Sequence, residues 1–431
     1  MKRAIPRYGV RYVSGTVEAA LNSLKKGSGV QGQEIRQFEE RFAAYHGVHH
    51  AITASYGRMA FYYILRALNF PSGSEVIFPA LTFWVIPEMA RVCGLRPVFV
   101  DIDPDTFNMD PLKIEEVVTP HTRAIVPTHI YGQPCDMTRI MNIARRHNLV
   151  VIEDCAHALG ATYENQKTGT FGDAAFFSFQ LLKGLNAFGG GMAISNDSNL
   201  AQKIRSEAEK EAWPEAFEVK KRMLTAQLIR ALISETGFTF GLFIPFYVSS
   251  YLGQRDLSYL LWEKIRPLNP LPPAYRKRFT NAQAIVGLMG LDKLDEFNKR
   301  SRENAAQLTR GLSEVRSIRT PKVLPNVSST FYQYCIRASD SQQLSRLAIR
   351  RGIDIEIMHV DICNVLPLFS ESARGCPHAE GTAHTLQLPV YASLEREKID
   401  RILRVIIEAS QQLPPVEAAA PPASIASFGS R

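Results

Sequence analysis

Residues 149–161 read LVVIEDCAHALGA. An apolar run of strand length passes without a break into Glu153, Asp154 and His157. The polar residues therefore emerge at the carboxyl end of a buried strand, the edge at which open α/β sheets place their ligands. Residues 122–132, TRAIVPTHIYG, repeat the arrangement upstream. Outward from these two strands, the chain from about Ile35 to Asn196 alternates helical and strand patterns. QEIRQFEERFAAYHG predicts an amphipathic helix, with Ile35, Phe38 and Phe42 on one stripe and Gly47 as its stop. RMAFYYILRALNF predicts a second helix, and SEVIFPA and RPVFVDI predict short buried strands. Alternation of this kind predicts an α/β fold with a mostly parallel sheet covered by helices.

A chain of 431 residues with 45% hydrophobic and 21% charged side chains excludes a disordered, collagen-like or coiled-coil protein and predicts more than one domain. Fifty basic against forty-two acidic side chains leave a net charge of +8, which favours anionic ligands without calling for nucleic acid. The six cysteines show neither a CxxC pair nor a Cys/His ligand spacing, so no metal site and no disulfide framework is expected, and reduced thiols fit a cytoplasmic setting. The opening MKRAIPRYGVRYVSG has no apolar stretch behind its basic residues and does not read as a secretory signal.

Composition divides the chain into a large α/β domain over 1–206, an inserted apolar and basic segment over 207–273, and a helical connection over 274–316. A small α+β domain over 317–413 and a Pro/Ala/Ser-rich tail over 414–431, expected to be disordered, complete it. NAQAIVGLMGLDKLDEFNKRSRENAAQLTRGL, from Asn281, reads as one long helix. Within the insert, Gly237 to Gly253 is nearly uncharged, shorter than the ~20 residues of a spanning helix, and interrupted by Pro245. A buried hairpin or an interface accounts for it. With Lys220, Lys221, Arg222, Arg230 and Arg255 beside it, a monotopic contact with anionic lipid at the inner face of the membrane is the alternative.

Several residues stand where this fold places a phosphorylated ligand. Ser55-Tyr56-Gly57-Arg58 is a strand-to-helix turn, in which helix-start amides attract phosphate, Gly57 allows close approach and Arg58 adds a charge; an ordinary βα turn is the plain alternative. Asp154 at a strand end can pair with a ring nitrogen and keep it protonated, or simply cap a helix. His157 can contact such a ring or be a satisfied, partly buried histidine. Lys183 lies between the apolar strand of GDAAFFSFQLLKGLNAFGGGMAISN and a glycine run. An amine in an apolar pocket is less readily charged, which suits imine formation and proton transfer; a solvated loop lysine is the alternative.

Ser178 and Asp154, taken in order with Lys183, carry a resemblance. The chain resembles the DegT/DnrJ/EryC1/StrS family of pyridoxal-phosphate-dependent sugar aminotransferases, from about Gly32 to Ile406. The likeness runs through QFEERFAAYHGVHHAI, SEVIFPALTFW, PVFVDIDPDTFNMD, AIVPTHIYGQPCDM, VVIEDCAHALGATY, FFSFQLLKGLNAFGGGM, NAQAIVGLMGLDKLDEF and LQLPVYASL. It implies the aspartate aminotransferase-like fold type I architecture, pyridoxal 5′-phosphate as cofactor, and a homodimer with a composite site. It also implies transfer of an amino group, from glutamate, to a nucleotide-activated keto-sugar. By the same resemblance Lys183 holds the cofactor covalently and moves the proton, Asp154 pairs with the pyridine nitrogen, and His157 lies near the ring. Phe83 stacks on the ring, Ser178 with Gly57 and Arg58 holds the phosphate, and Arg278 comes from the neighbouring subunit. The chain departs from the family at Tyr56-Gly57-Arg58, where Ser-Gly-Thr is usual, and at Arg276, Gly184 and Gly189, where Asn, Asn and Glu are usual. These changes bear on phosphate geometry and substrate fit. A dehydratase on the same cofactor is a second reading, though the family's dehydratases have histidine in place of this lysine. A non-catalytic cofactor-binding regulator docked at a membrane is a third.

Overall fold

The computed structural model describes residues 3–9, 11–252, 263–357 and 360–416. Most of the tail read as disordered lies outside them, as do Gly253 and Arg255 of the insert. Seven strands form the main sheet: β1 (His50–Ala54), β2 (Glu75–Pro79), β3 (Arg96–Val100), β4 (Thr122–Ile125), β5 (Val150–Asp154), β6 (Ala174–Ser178) and β7 (Gly191–Ser195). They lie in the order β1-β7-β6-β5-β4-β2-β3, and only β7 runs against its neighbours. Parallel strands covered on both faces must be apolar throughout, and β2 is buried along its whole length.

Helices α1 (Thr16–Lys25), α2 (Glu34–His46), α3 (Gly57–Leu68), α4 (Val85–Val92), α5 (Met137–His147) and α6 (Ser198–Glu209) belong to this layer. The predicted stripe on α2 is observed. Phe38 and Phe42 are fully buried, Phe42 meets Phe177 of β6 with ring centres 5.1 Å apart, and Gly47 ends the helix at φ 73°. On the opposite face α3 buries Met59, Phe61 and Ile64.

The insert forms helices, not a hairpin. α7 (Ala216–Ile233) begins in a capping box made by Glu215 and Glu218, and a π-type turn over Phe238–Leu242 leads into α8 (Phe243–Leu252). Pro245 sits in the first turn of α8, where a missing N–H is tolerated, so it does not break the helical course. The single helix expected from Asn281 is two, α9 (Asn281–Leu291) and α10 (Leu294–Leu312). α9 packs between α1 and α2 and is apolar around most of its girth, whereas α10 buries one stripe only.

A second sheet of β8 (Ile318–Arg319), β9 (Tyr334–Ala338), β10 (Glu356–Ile357) and β11 (Thr385–Leu388) is antiparallel in the order β8-β9-β11-β10. Together with α10, α11 (Ser341–Arg350) and α12 (Arg396–Ser410) it encloses its own core of Leu308, Leu344, Ile399 and Ile402. The start of the chain, read as part of the large domain, joins this second layer. Ile5 bridges to Ile353, and the buried Arg7 pairs with Asp354 at 2.7 Å. One extended apolar residue carries no signal of which sheet edge it will join.

Candidate active site

Three chain segments converge at the carboxyl edge of the main sheet: β5 ends in Asp154, β6 ends in Ser178, and β1 leads through Tyr56 into α3 at Gly57. Because β6 and β7 are antiparallel neighbours, the chain needs no crossover between them and turns back at the sheet edge, which leaves Lys183 on the turn. Internal bonds shape that loop. The amides of Ala187 and Gly189 donate to Phe179 O at 3.1 and 3.0 Å, and the Lys183 amide donates to Gln180 O at 2.9 Å. Arg11 braces it from outside, donating to Gly184 O at 3.3 Å and to Asn298 Oδ1 at 2.5 Å; burial lowers this guanidinium to about 10.

Burial pushes the Lys183 ammonium below the ordinary lysine value. The Asp154 carboxylate opposes that shift and the Arg58 charge adds to it. Burial likewise raises Asp154, which accepts from the Ala156 amide at 3.0 Å and is held down in part by Lys183 and His129. In the interior a charge is costly unless matched, so the two groups shift toward their neutral forms together. The lysine is thus a more available nucleophile than a surface lysine.

Gly57 is required by contact. A Cβ there would lie 2.9 Å from Phe177 O and 2.9 Å from Ser178 Cβ, so the start of α3 rests directly on the end of β6. Gly57→Ala is expected to lower unfolding free energy by about 1–3 kcal/mol through overpacking, read as a lower urea midpoint; an unchanged midpoint would show that the contact yields freely.

Arg58 was expected to point at a phosphate. In the structure its guanidinium donates to both carboxylate oxygens of Glu263, at 2.9 and 2.8 Å, and to the Tyr275 hydroxyl. The rings of Tyr275, Phe83 and Tyr56 lie 4.9, 5.4 and 5.6 Å from its carbon. A guanidinium in an aromatic enclosure takes the carboxylate that reaches it, and Glu263 comes from a part of the chain that no local pattern connects to the turn.

His157 accepts from the Tyr131 amide through Nδ1 at 3.3 Å and stacks on Tyr332, ring centres 4.4 Å apart. Lys183 Nζ lies 4.9 Å from the centre of the same Tyr332 ring. Tyr332, absent from the sequence reading, therefore joins His157 to Lys183. Its only trace in the sequence is an aromatic just ahead of β9. Arg278 is not brought to Lys183 within the chain. Its guanidinium carbon lies 4.2 Å from the centre of the Trp213 ring, and its amide donates to Ala212 O at 2.9 Å. Beside it Arg276, half exposed, pairs with Glu211 at 3.1 Å.

Behind Asp154, His129, Glu153 and Cys155 bring metal-type ligand atoms together in the interior. The lone pairs of His129 and Glu153 are already committed. His129 Nδ1 accepts from the Cys135 amide at 3.0 Å, so Nε2 carries the proton and donates to Glu153 Oε2 at 3.0 Å. Glu153 also accepts from the amides of Gly169, Phe171 and Gly172, at 2.7, 2.8 and 2.9 Å.

An open sheet with one reversed strand, a half-buried lysine on the turn into that strand and an aspartate at a neighbouring strand end define an α/β transferase of fold type I. The chain belongs to the DegT/DnrJ/EryC1/StrS aminotransferase family, whose model matches residues 13–407, and it is an aminotransferase. It is 32% identical over 382 residues to a GDP-perosamine synthase of Caulobacter vibrioides, covering 87% of this chain and 90% of that protein. A pleiotropic regulatory protein of Geobacillus stearothermophilus is 33% identical over 386 residues, covering 88% and 90%. Among solved structures, S. venezuelae DesV in complex with a ketimine intermediate matches with a TM-score of 0.73 at 27% identity, covering 93% of this chain and 95% of that one.

Proposed function

We propose that the protein uses pyridoxal 5′-phosphate to transfer an amino group, from glutamate, to a keto-sugar carried on a nucleotide. The observation that carries this reading is the half-buried Lys183 amine beside the Asp154 carboxylate at the sheet edge. The site suits the cofactor in its donor set. Because Gly57 lets the start of α3 rest on the end of β6, the helix-start amides stand beside Ser178 as phosphate donors, and Asp154 offers a carboxylate to a protonated ring nitrogen.

When bound, pyridoxal phosphate supplies an aldehyde that condenses with amines and a ring that accepts an electron pair. Lys183 would hold it and carry the proton between the substrate carbon and the carbon of the cofactor's aldehyde group. Asp154 would keep the ring nitrogen protonated. Phe83 and His157 would face the ring, while Ser178, Gly57 and Arg58 would bind the phosphate. For Arg58 this means exchanging the Glu263 carboxylate for a phosphate, one oxyanion for another.

The named relative in Caulobacter is a GDP-sugar enzyme, and this supports a nucleotide-linked acceptor. The net charge of +8 agrees with a diphosphate-bearing substrate. We assign the working form as a homodimer in which Arg278 reaches the partner's site, and the setting as the cytoplasmic side of the membrane.

Purified protein given pyridoxal phosphate, glutamate and nucleotide-linked keto-sugars is expected to yield a product in which one oxygen is replaced by an amino group, identified by mass. Loss of water instead would support a dehydratase, and cofactor retention without turnover would support a regulator like that named in Geobacillus. Mixing inactive Lys183→Ala and Arg278→Ala proteins should restore activity in mixed dimers. No recovery, with exchange of subunits shown, would place Arg278 outside the partner's site.

A further inference from the structure

α7 and α8 are apolar on two faces. On α7 the inner face, Val219, Met223 and Ala226, packs against Val17 and Ala20 of α1 and Val286 of α9. The outer face carries Phe217, Leu224, Leu228 and Leu232, spaced seven, four and four residues apart and exposed, Phe217 by 72% and Leu228 by 61%. On α8 and its leading turn, Phe238, Phe243 and Phe246 are buried with Ala4 and Ile349, while Phe240, Ile244 and Val248 face outward. A helix on the surface of a water-soluble body keeps its outer face polar, and apolar patches of this extent mark a surface that meets something. Nine of the twelve large apolar side chains exposed among the described residues lie between Phe217 and Tyr251.

Charge decides what covers this face. From Val219 to Ser234 the chain has four basic residues and no acid, and from Thr236 to Leu252 it has no charge at all. The flanking acids Glu218 and Glu235 are paired with Lys277 and Lys398 of the body, at 3.3 and 2.9 Å. Lys220 and Lys221 are exposed and make no ion pair among the described residues. A second copy docking about a twofold axis would set this apolar and cationic surface against itself, with no acid to neutralise it. Anionic lipid supplies both missing halves, an acyl boundary for the leucines and phenylalanines and headgroup phosphates for the lysines.

Among the described residues no single helix is long and apolar enough to cross a membrane, and α7 and the chain from Glu235 to Tyr251 meet at a bend of 66°. We infer that the outer face of residues 216–252 docks the enzyme in the plane of an anionic membrane surface. In the sequence the apolar part of this surface is Gly237 to Gly253, with Lys220, Lys221, Arg222 and Arg230 as its flanking charges; α7 adds the outward leucines among which the lysines lie.

The test is sedimentation of the full chain with sucrose-loaded vesicles, of phosphatidylcholine alone or of equal parts phosphatidylcholine and phosphatidylglycerol. The intact protein is expected to pellet with the mixed vesicles and far less with the neutral ones. Lys220→Gln with Lys221→Gln should weaken binding to the mixed vesicles by roughly thirtyfold, from about fivefold per basic side chain at an anionic surface. Leu228→Gln with Phe240→Gln should abolish it; since both side chains face outward, thermal midpoint and transaminase rate should be unchanged. Three results would each overturn the inference: no pelleting with either vesicle, equal pelleting with both, or glutamine variants that pellet as before but drop to a smaller oligomer. The last would show that a second copy covers the face. None of these readouts depends on sugar amination.

Discussion

Lys183→Ala protein is expected to lose amino transfer by roughly 10⁴-fold, the upper end of what a positioned acid–base group supplies, and to lose the visible absorbance of lysine-bound cofactor. Lys183→Arg should be as inactive, because a guanidinium stays protonated and is no nucleophile. The pH dependence follows from the burial that lowers the lysine. Capture of free pyridoxal phosphate needs the neutral amine, so its rate should rise with pH and level off well below the ordinary lysine value of 10.5. The Asp154 carboxylate raises the lysine against that burial, so Asp154→Asn should move the rise to lower pH while impairing later steps. A rise centred at the ordinary value, or a shift to higher pH on losing the carboxylate, would mean that the amine is solvated and uncoupled from Asp154. Turnover by the arginine variant at the native rate would remove Lys183 from the chemistry.

What could be read ahead of the structure was whatever a short window encodes. The strand run into Asp154 and the apolar segment ahead of Lys183 are local patterns, and Gly57 marks its turn by residue type alone. The rest depends on chain segments that meet only on folding. Tyr332 reaches His157 and Lys183 from the edge of the second sheet, and Glu263 crosses from the insert to Arg58. The helices of the insert, where a hairpin is one reading, are not legible in the sequence because its apolar residues serve two faces, which blurs helical periodicity; a run without a polar face reads equally as hairpin, interface or buried core. Ile5 and Arg7, which bind Ile353 and Asp354 ahead of β10, have too few neighbours in sequence to declare a partner.

The same limit hid the polar knot beneath the site, whose loss should have the largest effect on stability. Successive residues of a strand point to opposite faces, so Asp154 faces Lys183 while Glu153 turns inward. There its fully buried carboxylate accepts four hydrogen bonds, from His129 and from the amides of Gly169, Phe171 and Gly172. Those amides belong to the loop that enters β6, so one side chain fixes β5 to the approach of its neighbour. Glu153→Ala would strand four donors, two of them buried and two half-buried, and open a cavity. Each unmet donor costs about 1–3 kcal/mol, but the loop can peel outward and recover water, so a net loss of about 3–5 kcal/mol is expected. Urea unfolding followed by tryptophan fluorescence would read it as a lower midpoint. Activity should fall too, because Asp154 O accepts from the His129 amide at 3.1 Å and the strand end moves with its anchor. Glu153→Gln keeps the volume and one accepting oxygen but turns an NH₂ toward donors, and should fall between the two. If alanine at 153 left the midpoint within about 0.5 kcal/mol of wild type, the range of a neutral surface change, the knot would contribute nothing and Asp154 would be held by its strand alone.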